Sequence, residues 1–164
     1  MSRSLVDAER AATPRLSCYV ILRCPSVPGC KPRARATSRC FMSRKASNLL
    51  AQGRGEEALV EAQQEPEELW RLWAGAIIHH AAGRHAESEA ALQELIAKHQ
   101  VDAAYQVALV YAARAEADLA FAWLDRACAQ RDPGLSETKT DTSLRSLHND
   151  PRWGAFLRKM GLSD

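Results

Sequence analysis

Long apolar runs are missing from this chain: nothing in its 164 residues approaches the roughly 18 apolar positions that a membrane helix needs. The best candidate near the N-terminus, Cys18–Leu22, is brief, is followed by Arg23 and has no small-residue cleavage site after it. It fails as a secretory signal too, so the cytoplasm becomes the expected compartment. No glycine-rich phosphate cradle and no nucleophile elbow occur, and two common routes to catalysis therefore lack their signature. Histidine is absent before His79, which bears on Cys18, Cys24, Cys30 and Cys40. These cysteines are separated by five, five and nine residues. A structural zinc site takes closer pairs, with about two to four residues between partners. A disulfide framework would need an oxidising compartment that nothing in the chain specifies.

Charge is present but unevenly spread. The net +2 divides into +8 over residues 1–45 and −6 over residues 46–164, a break that usually separates two physical roles. The basic part carries Pro14, Pro25, Pro28 and Pro32 and shows no helical apolar period, which predicts a disordered basic leader over residues 1–41. Its densest stretch, Arg33, Arg35, Arg39, Arg44 and Lys45, suits a nucleic-acid or acidic-membrane arm. No aromatic residues interleave with these cations as a single-strand stacking platform requires. A solvated leader is the favoured reading. Met42, directly before the first helical pattern, is an alternative start for the natural chain.

From Ala46 onward the chain repeats itself. Three pairs of short amphipathic stretches are divided by corners at Gly53, Gly83 and Ala115. The pairs are Ala46–Gln52 with Glu56–Gln64, Trp70–Ala82 with Ala86–His99, and Asp102–Arg114 with Asp118–Gln130. Seven positions before the corner stand Ala46, Ala76 and Ala108; five after it stand Ala58, Ser88 and Ala120. Small residues at matched heights let two helix backbones approach closely. Larger ones fill the groove around them: Leu49, His79 and Tyr111 before the corner, and Leu92 and Leu124 after it, where the first unit has Ala62. Glycine at a corner supplies the left-handed backbone that ends a helix, so its absence at Ala115 predicts a looser or strained turn.

This pattern resembles the tetratricopeptide repeat family, in which two antiparallel helices cross at small residues. Ala108, Tyr111, Ala120, Leu124, Ala127 and Pro133 fall where that family's consensus asks for them. The second unit departs at Gly75, His79 and Ser88, and Pro66 shortens the first. Corners lie 30 and 32 residues apart, against the family's usual 34. The run Arg131–Leu135, Thr140-Asp141 and Asn149–Trp153 is similar to the closing segment of bacterial members, where a short helix and a final helix cover the open end. Asp150 suits an N-cap and Pro151 the first helical position. Trp153, Phe156, Leu157 and Met160 form one face, Arg158 and Lys159 complement the helix dipole, and Gly161 ends the helix. The expected fold is all-α: a short α-solenoid of about three antiparallel helical hairpins behind the disordered leader. The units fall at about 42–65, 67–100 and 101–131, and the capping segment at 132–164.

Candidate chemistry is sparse. His79 and His80 point about 100° apart on a helix and cannot chelate one ion together; His79 takes a core position and is expected to be half-buried and hydrogen-bonded. Cys128 lacks a base or a thiolate-stabilising field and reads as a small buried residue. Acidic pairs such as Glu56-Glu57 and Glu67-Glu68 favour the helix dipole without acid–base catalysis. The chemistry thus points to no enzyme, no metal and no cofactor. By the resemblance, the first helix of each unit lines a concave groove, at Trp70, Trp73, Ile77 and His80 in the second unit and at Asp102, Tyr105 and Leu109 in the third. Two tryptophans and a tyrosine there suit a peptide hot spot, although Trp73 serves equally as packing between units one and two, and for Trp70 that packing reading is the favoured one. The expected function is a non-catalytic protein- or peptide-binding scaffold, with no membrane partner and nucleic acid disfavoured. The alternatives are a regulatory or sensory fragment of a larger bacterial signalling protein, and a nucleic-acid-associated adaptor acting through the leader.

Overall fold

A computed structural model describes residues 44–162. The leader, its four cysteines and the alternative start at Met42 lie outside the described residues. Helices α1 (Arg44–Ala51), α2 (Gly55–Gln63), α3 (Glu68–Ala81), α4 (His85–His99), α5 (Ala104–Ala113) and α6 (Ala117–Gln130) succeed one another. Two 3₁₀ turns, Pro133–Glu137 and Thr142–Leu147, then lead into α7 (Pro151–Met160). Among the described residues there is no strand. Each helix starts and ends close to where the apolar periodicity places it, because glycine, proline and polar clusters interrupt the pattern at the same points.

Three-residue corners join α1 to α2, α3 to α4 and α5 to α6, and all three use one hydrogen-bond pattern. The corner residue is left-handed each time: Gly53 at φ 75°, Gly83 at 74° and Ala115 at 61°. Its N–H donates to the carbonyl three residues back, and the following N–H donates to the carbonyl five back. Arg54 bonds Leu49, Arg84 bonds His79 and Glu116 bonds Tyr111, at 2.9, 2.9 and 3.0 Å. This pairing satisfies carbonyls that a helix end otherwise leaves bare. The Ala115 turn is therefore as tight as the glycine turns, contrary to the looser geometry that its missing glycine suggests. The strain remains, since a Cβ opposes positive φ.

Packing follows the matched small residues. Ala46, Ala76 and Ala108 are fully buried, as are Ala58, Ser88 and Ala120. Ser88 Oγ also donates to the Ala76 carbonyl at 2.6 Å, so the second crossing is hydrogen-bonded as well as close. Helix α3 packs on α2, α4 and α5, and α5 packs on α3, α4 and α6. From Ala104 through Ala112 every residue of α5 is buried.

The C-terminal segment completes this core with two 3₁₀ turns followed by α7, where one short helix and a final helix were expected. Asp132, Asp141 and Asp150 each cap an element by accepting from a backbone N–H two residues on. The second 3₁₀ turn lies on α5, where Ser146 Oγ donates to the Ala112 carbonyl at 2.9 Å. Helix α7 lies beside α6, held by Arg152 to Asp118 at 2.7 Å and Lys159 to Asp125 at 2.6 Å. All three links span 34 residues, and the last two show α7 running in the same direction as α6. Trp153, Phe156 and Met160 are buried beneath it and Leu157 is half-buried.

Replacing Ala115 by glycine relieves the left-handed strain and is expected to stabilise the protein by about 0.5–1 kcal/mol in urea unfolding. Gly83→Ala is expected to cost about 1 kcal/mol through backbone strain alone, because a Cβ there meets no atom within 4 Å. Equal effects of the same sign from the two changes would contradict this account of the corners.

Candidate functional site

Of the seven residues expected to line a groove, four are closed to any partner. Trp73 is 4 % exposed and Ile77 is buried because α3 is packed on three other helices. Trp73 thus follows its packing alternative. Its indole Nε1 is buried without a hydrogen-bond partner among the described residues. Tyr105 and Leu109 belong to the stretch of α5 that is buried throughout, Ala104 to Ala112. Their expected role as groove lining is overturned by the chain's own C-terminal segment, which occupies that face.

Tyr105 shows how the occupation works. Its backbone N–H donates to Asp132 Oδ2 at 3.0 Å, and the other carboxylate oxygen of Asp132 accepts from Gly134 N–H at 2.8 Å. Gly134 lies directly on the tyrosine ring, where an added Cβ would stand only 2.5 Å from Cδ1. The phenol hydroxyl reaches Asp141 Oδ2 at 3.4 Å. One buried carboxylate thus satisfies the first turn of α5 and the first 3₁₀ turn together. Burial pushes the Asp132 carboxyl above its usual range, and the two backbone donors oppose that rise.

Trp70, His80 and Asp102 remain reachable, at two separate places. Trp70 is half-buried, packs edge-on against Trp73 with centroids 5.9 Å apart, and donates its Nε1–H to Glu67 at 3.0 Å. Asp102 is exposed and lies at the same end of the molecule: His99 is 4.0 Å from Asp102 and 3.8 Å from Glu68. Lys98 bonds Glu68 at 2.7 Å, which holds the Glu68 carboxyl below its usual range. Glu68, Lys98, His99 and Asp102 thus form a mixed-charge cluster between α3 and the end of α4, while Glu67 is the charged group at the indole. His80, ten residues along α3, is roughly 15 Å away.

Around His80 the corners of the second and third pairs meet. Its ring lies 5.2 Å from that of His85. Arg114, 7 % exposed, donates to Glu89 at 2.6 Å and to Ser88 Oγ at 2.8 Å. Burial, then His85 and Arg114, hold the His80 imidazole below its ordinary value, while Glu116 acts in the opposite direction. The group therefore favours its neutral form, and among the described residues no nucleophile or metal set accompanies it. No cluster of three or more metal-ligating side chains occurs among the described residues. His79 is half-buried as expected, yet its Nδ1 has no hydrogen-bond partner among the described residues.

Sequence reasoning missed a fourth feature, an open trough of about 700 Å³ along the outer side of α1 and α2. Lys45, Asn48, Leu49 and Gln52 form its α1 wall, and Glu57, Val60, Glu61 and Gln64 its α2 wall. Both walls are i, i+3, i+4, i+7 stripes, which is the signal that would have found it. Val60 is 58 % exposed at its centre. No family model, no curated protein and no solved structure matches this chain.

The lowered His80 value fixes the sign of one pH effect. Its stabilising neutral form is fully present above the ordinary imidazole pKa of about 6.5. That contribution is lost as the pH falls through 6.5 towards the lower folded value. Urea midpoints at pH 7.5 and 5.0 are expected to differ more in the wild type than in His80→Gln. Equal differences would contradict the assigned environment.

Proposed function

We propose that this chain is a non-catalytic protein-binding scaffold, built as a tetratricopeptide-like α-solenoid and working in the cytoplasm. The observation that supports this most is the threefold reuse of one corner, with the same left-handed residue, the same two hydrogen bonds and buried small residues on both flanking helices. Helices joined by so short a turn pack as antiparallel hairpins. A hairpin that cannot bury its apolar face alone stacks on its neighbours. On this reading the 34-residue links from α5 and α6 to the tail make the tail an abbreviated fourth step of the array. No described helix is long and apolar enough to cross a membrane. The nucleic-acid alternative falls on the leader, outside the described residues.

The partner-binding surface is then narrower than the full groove. It centres on Trp70, an amphipathic, half-buried indole whose Nε1–H donates to Glu67. Tryptophan is among the few residue types that dominate binding when an interface closes over them. Full-length chain bearing a photo-cross-linker near Trp70 is expected to capture a discrete partner from its native cells. Trp70→Ala is expected to lower the partner's affinity at least about tenfold, whereas a change at Gln93, exposed on α4, leaves it intact. Equal capture by the wild type and Trp70→Ala would overturn this surface.

A further inference from the structure

We propose that the trough along α1 and α2 is a self-association surface on which a second copy of this chain seats face to face. The two ends of the helical series differ. At the far end the 3₁₀ turns and α7 cover α5 and α6, but no described element covers the outer stripes of α1 and α2. Leu49 is buried at the floor, while Val60 stands 58 % exposed among polar walls. An apolar centre inside a polar rim has the anatomy of an interface.

Charge selects the occupant. The α1 wall is basic through Lys45, with Arg54 at the corner beside it; the α2 wall is acidic through Glu56, Glu57 and Glu61. The lining as a whole carries a small net negative charge, two cations against three carboxylates, so it offers no attraction to a polyanion or an acidic lipid surface, and its division into a basic and an acidic wall suits a second copy of the same trough. A two-fold axis would place one copy's α1 wall over its partner's α2 wall, matching opposite charges twice. Lys45 and Glu57 are 70 % and 58 % exposed, so both retain reach beyond their internal partners Glu61 and Arg54. Two helices of eight and nine residues give a small face. About ten lining residues fall below the 20–30 a side of a standard interface, which makes the dimer weak and dependent on concentration. This inference is independent of the protein-binding reading, and either can fail alone.

Sedimentation of the full chain from about 1 to 500 µM is expected to show a monomer–dimer equilibrium. Val60→Glu is expected to weaken it at least tenfold. Lys45→Glu and Glu57→Lys are each expected to weaken self-association when studied separately. Mixed one to one, they are expected to regain a dimer, because both contacts across the axis are then again of opposite sign. A wild type that stays monomeric throughout, or Val60→Glu that dimerises as the wild type does, would overturn the proposal. So would a mixture no stronger than its components, and that comparison decides the matter even where Val60→Glu fails to fold.

Discussion

Helix α5 sets the terms for the rest of the molecule. Its sequence, AYQVALVYAA, is apolar on every side, and such a helix has no face to offer to water. Fully burying each of Tyr105, Val107, Leu109 and Val110 contributes on the order of 1.5–3 kcal/mol, so leaving any side open would cost a large fraction of a domain's net stability. Helices α3, α4 and α6 enclose most of the surface. The remaining side is closed by residues 132–147, with Leu135, Leu144 and Leu147 buried in the same core. Asp132 makes that closure specific, since its carboxylate joins the start of α5 to the start of the segment that covers it.

The corners solve a different problem. A chain that must return on itself repeatedly needs a helix end that leaves no carbonyl bare, and one backbone solution serves three times over. Gly53 and Gly83 adopt it without strain, whereas Ala115 adopts it against the preference of its Cβ. The pair with the unfavourable corner also holds α5, buried from Ala104 through Ala112. Tertiary burial around α5 and α6 holds the turn where local preference alone would not. Packing grows weaker toward α1, where Val60 is exposed and the outer stripes lie uncovered.

Much of this was legible in the residues. The helices were readable because glycine, proline and polar clusters punctuate a 3.6-residue period, and Ala46, Ala76, Ala108, Ala58, Ser88 and Ala120 marked the close approaches correctly. Asp150, Pro151 and Gly161 delimited α7. The groove was legible only in part. The sequence shows α5 to be apolar all round but not which later segment will cover it, and so Tyr105 and Leu109 were expected at a surface they do not reach. The absence of any polar face on α5 was the available warning. Trp73 could serve a groove or a core on sequence grounds, and only the packing of α3 on three neighbours decided between them. The α1–α2 trough carried its stripes openly, but nothing in them said that no described helix would lie across.

The claim at the centre of this account is that residues 132–147 belong to the core and are not a detachable lid over a free groove. Native-state amide exchange on the full chain tests it directly. The Tyr105 amide, which donates to Asp132, and those of Thr138 and Asp141 are expected to open within about 1 kcal/mol of the Ala108–Ala112 amides, as one cooperative unit. Rapid, independent exchange of the first three while Ala108–Ala112 stay protected would contradict it, and would return Tyr105 and Leu109 to the candidate groove.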